Sequence, residues 1–153
     1  MELLANEPLL RLSCFAFELA LMLLAQWRWP ARGDGRPARR QAVNLALAAL
    51  NTLILRLAFP LLAVGLAVLV HQRQGGLFGI LDWSPWLSIP LAMVLLELII
   101  YWQHRMMHAI PLLWRLHRTH HIDTGFDVTT GLRFHPFEIA LSMGIKLAAI
   151  WLL

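Results

Sequence analysis

The chain has 153 residues, of which 59% are apolar and only 14% are charged. A soluble domain usually has about a quarter of its residues charged, so this balance excludes an ordinary soluble protein and predicts an integral membrane protein. The formal net charge is +4, but the basic residues fall in loops beside apolar segments, which argues against a nucleic-acid partner. Cys14 has no second cysteine to pair with, which excludes a disulfide framework and a cysteine-based zinc site.

Four apolar segments predict an all-α fold with about four membrane-spanning helices. They cover residues 9–27, 43–70, 86–102 and 137–153. The first segment is long enough to cross a hydrocarbon core of about 30 Å at 1.5 Å per residue. The second is too long for one upright span and contains Pro60, so we expect a tilt, a kink or two short re-entrant pieces.

The loops between these segments predict the orientation of the chain. Five arginines lie around the first loop, one lies in the second and four lie between the third and fourth apolar segments. Because arginine-rich loops stay in the cytoplasm, the first and third loops are predicted to be cytoplasmic, in a bacterial inner membrane or the endoplasmic reticulum. We divide the chain into N-terminal membrane helices, residues 1–83, and a histidine-rich part, residues 84–153.

The strongest chemical signal is the third loop, where six of the seven histidines lie between His104 and His135. The first group is His104-Arg-Met-Met-His108. Its i, i+4 spacing puts both imidazoles on one face of a helix, at a separation that suits two ligands of one metal. The spacing therefore predicts a metal-binding helix end.

The second group is His117-Arg-Thr-His120-His121. Its spacing lets His117 share a metal with one neighbour while the other turns toward a second metal. Pro111 separates the groups and is predicted to end one helix and start the next, so that the two groups converge. Five imidazoles exceed what one tetrahedral zinc needs, and they are compatible with two iron ions that activate dioxygen.

Residues 97–138 carry several distinctive elements in a fixed order. These are Tyr101, the first histidine group, Pro111, Leu113-Trp114-Arg115, the second histidine group and Arg133-x-His135-Pro136. Together they resemble the fatty acid hydroxylase and sterol desaturase superfamily of membrane-bound di-iron oxygenases. The resemblance implies a cytoplasmic di-iron centre that uses dioxygen and electrons from a donor protein to hydroxylate or desaturate a fatty acyl, sterol or related lipid.

The resemblance also assigns residues. It implies that His104 and His108 form the first histidine box and that the second contains His117, His120 and His121. His135 is left open between a metal ligand and a side chain that orients a neighbouring imidazole.

Four further side chains are candidates for supporting the imidazoles. Glu97 lies seven residues, about two helical turns, before His104 and is expected on nearly the same face; the alternative is an ion pair with Arg56. Asp123 and Asp127 are expected to orient imidazoles, although Asp123-Thr-Gly is also typical of an ordinary turn. Arg133 is placed in the same supporting group.

Members of this superfamily carry another H-x-x-H-H box after the next pair of membrane segments, and the sequence stops at Leu153 before one could occur. We therefore expect an incomplete ligand set. The alternative function is a non-catalytic metal-binding remnant or fragment of such an enzyme. A haem-binding membrane protein is a further alternative, but it would place paired histidines inside the spans rather than five in one loop.

Overall fold

The computed structural model describes residues 6–30, 38–59, 61–123 and 125–153. Within these ranges every regular element is a helix and no strand is present, which confirms the predicted all-α fold. The described helices are α1 Glu7–Arg28, α2 Ala38–Ala58, α3 Ala63–Gln72, α4 Gly76–Ile80, α5 Pro85–Ala109, α6 Pro111–His121 and α7 Pro136–Leu152, with a 3₁₀ helix Val128–Leu132 between α6 and α7.

Three segments are long and apolar enough to cross a membrane, namely Glu7–Arg28, Ala38–Ile80 and Pro85–Ala109. The fourth predicted segment forms α7, which has 17 residues, so the number of spans stays a prediction. Among the described apolar residues only Val70, Met107 and Ala149 are buried, whereas many large apolar side chains are exposed. Such a surface needs lipid rather than water as its solvent, because apolar area exposed to water is unfavourable.

The long second apolar segment is divided into two helices. Helix α2 ends at Ala58 and α3 begins at Ala63, on either side of the predicted break. Pro60 itself, and the glycine- and proline-containing stretch 31–37, lie outside the described residues. A break at this place leaves each helix free to pack at its own angle.

The helix α2 turns polar side chains toward the rest of the molecule. Asn44 and Asn51 are both buried, and they lie on one face of α2 because seven residues correspond to about two turns. Asn51 donates from Nδ2 to the Phe134 carbonyl oxygen at 3.0 Å. Asparagine amides inside a membrane bundle are costly unless they are hydrogen-bonded, so this face of α2 is fixed against the loop that precedes α7.

The helices α5, α6 and α7 meet at one end of the molecule. Helix α5 ends at Ala109, Ile110 is extended, and Pro111 is the first residue of α6, which confirms the predicted role of that proline. Proline suits this position because the first residues of a helix have no intrahelical partner for their N–H groups. Helix α7 packs against both α5 and α6, and the histidines lie where the three helices come together.

Candidate metal centre

Helix α5 contributes the first pair of imidazoles. His104 and His108 lie one helical turn apart near its C-terminal end, and their Nε2 atoms are 3.2 Å apart. Both side chains are exposed. Their i, i+4 spacing therefore does what the sequence predicts and directs two ligand nitrogens toward one point.

Helix α6 contributes a third imidazole to the same point. His117 is fully buried, and its ring centroid is 4.7 Å from those of His104 and His108. One ligand atom from each of these three histidines lies within 4.8 Å of the other two. Three imidazole nitrogens this close together form a ligand set that suits iron, zinc or copper.

His121 extends this arrangement, and we call the four residues His104, His108, His117 and His121 the histidine cluster. The Nε2 atoms of His121 and His117 are 3.2 Å apart. Burial, followed by the charge of neighbouring imidazoles, lowers the pKa of His121 below its ordinary value. The ring is therefore neutral near pH 7, which is the form that binds metals.

His120 adjoins the histidine cluster on its inner side. Its ring stacks on Phe134, with centroids 4.8 Å apart and an interplanar angle of 3°. Its Nδ1 atom is buried and has no hydrogen-bond partner. The two neighbours His120 and His121 thus point in different directions, as the spacing of the second group predicts.

Trp114 lies beside the cluster on α6, with its ring 5.4 Å from His108 and 5.5 Å from His121. His104, His108 and His121 are exposed, whereas His117 is fully buried. The cluster consequently has a closed side, formed by the packing of α6 against α7, and an open side.

The closed side contains a carboxylate that the sequence analysis did not single out. Glu138 Oε1 lies 2.6 Å from His117 Nδ1, and Glu138 is only 4% exposed. It is the third residue of α7, after Pro136. A proline followed two residues later by an acidic residue is typical of a helix start, and this signal identifies Glu138 as a residue held at the beginning of α7.

His135 has a structural role at the start of α7. It is the N-cap of α7, where its Nδ1 accepts the Phe137 N–H at 3.2 Å. Its ring stacks on that of Phe137, with centroids 5.6 Å apart, and it makes no ring contact with another imidazole of the described residues. The structure therefore separates His135 from the five histidines of the two boxes.

Comparison with known proteins identifies this part of the chain. The sequence model of the fatty acid hydroxylase family matches residues 89–153, which contain the histidine cluster. Residues 89–153 belong to the fatty acid hydroxylase and sterol desaturase superfamily. No solved structure matches the chain.

Two curated proteins are similar to this chain. Alkylglycerol monooxygenase of Xenopus tropicalis is 27% identical over 122 residues, which is 78% of this chain and 26% of that protein. An Arabidopsis thaliana protein named "Putative Delta(7)-sterol-C5(6)-desaturase 2" is 41% identical over 56 residues, which is 34% of this chain and 20% of that protein. The chain thus spans about a quarter or less of the length of these relatives.

The superfamily segment is joined to α2 by Arg133. Its Nε donates to the Thr119 carbonyl oxygen at 2.9 Å, and a terminal nitrogen donates to Asn44 Oδ1 at 3.0 Å. Thr119 lies in the last turn of α6, where carbonyl groups lack intrahelical donors and favour a cation. Arg133 therefore supports the helix that carries the second histidine box rather than an imidazole itself.

Asp123 and Asp127 bond to α2 and to their own loop, not to imidazoles. Arg40 donates to both oxygens of Asp123 at 2.7 Å and also to Asp127. Asp123 accepts further bonds from Asn44 at 3.0 Å and Thr130 at 2.7 Å. We call these five residues, Arg40, Asn44, Asp123, Asp127 and Thr130, the arginine–aspartate network.

Burial alone would raise the pKa of Asp123, but hydrogen bonds from Arg40, Thr130 and Asn44 outweigh it and hold that pKa well below its ordinary value. The pKa of Asp127 is lowered as well, because bonds from Thr129 and Gln41 and the charge of Arg40 overcome the effect of burial. Both carboxylates are consequently ionised near pH 7 and paired with a cation.

Glu97 makes no ion pair or hydrogen bond within the described part of the chain. It is exposed on α5, and neither His104 nor Arg56 is its partner. A seven-residue spacing places two residues on nearly one face, but the intervening two turns separate them by about 10 Å. The spacing alone does not produce a contact.

Proposed function

We propose that this chain carries the first two histidine boxes of a membrane-bound, iron-dependent oxidoreductase that hydroxylates or desaturates a lipid. The observation that carries the proposal is the convergence of His104, His108 and His117 within 4.8 Å. It occurs inside the segment that belongs to the superfamily. The similarity to a monooxygenase and to a protein named as a sterol desaturase supports a lipid substrate.

The residues present fit iron. The donor set consists of imidazoles, which suit this metal. The buried Glu138 lies behind His117, with its Oε1 2.6 Å from His117 Nδ1, where a carboxyl group supports a ligating histidine. We assign one iron to His104, His108 and His117. His120 and His121 are the ligands that this chain offers to a second iron, with His135 a candidate for the same role.

Bound iron supplies the redox chemistry that joins dioxygen and electrons to the oxidation of a C–H bond. The protein's own part is to hold the imidazoles, to exclude water from the closed side and to guide a lipid. His104, His108 and His121 face the open side, which is the side from which a lipid chain reaches the cluster. The apolar surface of α5 leads to that side from the hydrocarbon region.

The partner and the orientation belong to the same proposal. An oxidation that uses dioxygen needs electrons from outside this chain, and we assign them to a donor protein. The arginine distribution supports a cytoplasmic position of the histidines, in a bacterial inner membrane or the endoplasmic reticulum. Reduced electron carriers are available on that side.

A second candidate function is metal binding without catalysis. It is favoured by one observation, that a single three-histidine group converges among the described residues. Haem binding is disfavoured, because the cluster rings lie against one another at centroid separations of 4.7–4.9 Å and leave no flat slot for a macrocycle between two axial ligands.

The first test is the iron content of the 153-residue chain, purified in detergent and loaded with Fe(II) without oxygen. The variant H104A/H108A/H117A should lose specifically bound iron, because it removes the three converging ligands. The matched control is H71A, since His71 is exposed and lies on a different helix, α3. Equal iron in the triple variant and the wild type contradicts the metal site.

The second step separates the two candidates. Iron-loaded chain in lipid vesicles receives oxygen and a chemical reductant, and the lipids are analysed by mass spectrometry. A gain of one oxygen atom, or a loss of two hydrogen atoms, that disappears in the triple variant supports the oxidoreductase. Bound iron without any lipid product favours metal binding alone.

A further inference from the structure

Glu138 forms the shortest polar contact of the closed side, 2.6 Å between its Oε1 and His117 Nδ1. Both side chains are removed from solvent, His117 completely and Glu138 to 4% exposure. They belong to different helices, α6 and α7, so the contact also fixes how these helices meet. Because both side chains are buried, this short hydrogen bond is stronger and more specific than a contact on the protein surface.

The two nitrogens of His117 face in different directions. Nδ1 meets Glu138, whereas Nε2 lies 3.2 Å from His121 Nε2 on the side of the cluster. An imidazole that donates Nδ1–H to a carboxylate keeps its Nε2 lone pair free. Glu138 therefore stands behind the ring, and the opposite nitrogen is presented to the other imidazoles.

Glu138 lies at the N-terminal end of α7. It is the third residue of that helix, where free N–H groups and the positive end of the helix dipole stabilise an anion. No lysine or arginine of the described residues pairs with it, and its second oxygen, Oε2, is buried without a hydrogen-bond partner. His117 Nδ1 is therefore the one hydrogen-bond partner of the Glu138 side chain among the described residues.

No other imidazole of the described part of the chain has a carboxylate partner. His104, His108 and His121 bond only to one another and to His117, and His120 Nδ1 has no partner. We propose that Glu138 is a positioning residue that fixes the orientation and the tautomer of His117, so that Nε2 is the metal-binding atom. The inference rests on the proposed metal site and adds a residue to it.

The main test compares metal affinity in wild type and E138Q, each in detergent, with Fe(II) and with Zn(II) as probes. Glutamine has nearly the same shape but no charge, so the variant should fold. We expect metal affinity to fall about 10- to 100-fold, as for other carboxylates that support a ligating histidine. The melting temperature of the metal-free protein should change little.

The matched control is S142A. Ser142 lies one turn further along α7 and receives a hydrogen bond from Gln103 of α5, so its loss weakens the packing of α7 against α5 without removing a contact to an imidazole. The metal-free melting temperature should fall and metal affinity should stay. If E138Q behaves like S142A, with lower stability and unchanged affinity, Glu138 is a structural residue and the inference is wrong.

A second measurement tests the role of Glu138 in the absence of any metal. The imidazole ¹⁵N spectrum of the metal-free chain at pH 8, with His117 assigned by comparison with H117N, reports which nitrogen carries the proton. We expect His117 to carry its proton on Nδ1. A proton on Nε2 instead would show that Glu138 does not fix this tautomer and would overturn the proposal. Failure of the wild type to bind metal contradicts the proposed function, whereas the tautomer still decides the role of Glu138.

Discussion

The histidine cluster and the arginine–aspartate network lie in neighbouring parts of the molecule, but their polar groups have different kinds of partner. In the network, Arg40 and Asp123 form two bonds of 2.7 Å, and Asn44 and Thr130 complete the carboxylate. In the cluster, nitrogens of like kind stand 3.2 Å apart in two pairs, with three of the four rings exposed.

Polar groups with a structural role can be told from those of a binding site by whether they are paired with one another. Apart from Arg40 Nε, which is buried without a partner, the charges and donors of the network are paired with one another, so folding alone explains their burial. Each imidazole pair of the cluster can share one N–H···N hydrogen bond at 3.2 Å. The convergence of three ligand atoms within 4.8 Å of one another is not needed for folding, but it is what a metal site requires. We therefore expect changes in the network to act on stability, and changes in the cluster to act on metal affinity.

The largest expected effect on stability comes from D123N. It removes the charge opposite Arg40 and leaves that guanidinium partly buried and underpaired, which should cost on the order of 3 kcal/mol. Unfolding of the metal-free chain, followed by helical circular dichroism in mixed detergent micelles, measures the loss. The matched control is D82N, at an exposed position with positive φ that asparagine tolerates.

Metal affinity of D123N, measured on the folded fraction, should remain within a few-fold of the wild type. A stable D123N protein that has lost its metal would break the division between the two regions. It would also show that Asp123 acts on the imidazoles, as the sequence analysis expects.

The pH dependence of stability tests whether the carboxylates of the network stabilise the fold. The pKa values of Asp123 and Asp127 are lowered in the folded state, so the unfolded chain binds more protons near and below pH 4. The stabilisation that these two carboxylates contribute is therefore fully present above the ordinary aspartate pKa. It is lost as the pH falls through that value toward the lower pKa values of the folded state. The stability difference between wild type and D123N should stay constant from pH 6 to about pH 5 and should narrow as the pH falls further to pH 3.

Melting of the two metal-free proteins across this range measures the effect. Both proteins contain the same imidazoles, so the difference between their melting temperatures reports the Asp123 carboxylate rather than the histidines. A constant difference between the two proteins down to pH 3 contradicts the assignment of the charge pair.

The features that the sequence predicts correctly are local ones. Apolar length predicts the long helices, and the i, i+4 spacing predicts that His104 and His108 point the same way. Pro111 predicts the break that lets α6 return. Each of these depends on residues within a few turns of one another, for which helix geometry and proline stereochemistry are sufficient.

The features that the sequence misses depend on contacts between distant residues. Asp123 is two residues from His121, which favoured an imidazole as its partner, yet its strongest bonds come from Arg40, 83 residues earlier. Glu138 is 21 residues from His117. The packing of α2 and α7 decides which helix each carboxylate contacts. The spacing of residues along the sequence does not predict that packing.

The smallest expected effect belongs to His135, which makes no ring contact with another imidazole of the described residues. As the N-cap of α7 it accepts the Phe137 N–H, and its replacement by alanine should cost about 1 kcal/mol. H135S is the matched variant, because a serine hydroxyl can accept the same bond, so its stability should stay near that of the wild type.

If His135 is only a cap, both variants keep their iron, because the imidazoles of the cluster are untouched. If His135 is a metal ligand, both lose affinity whatever their stability. Iron affinity and unfolding of the two variants together therefore assign His135 to one region or the other.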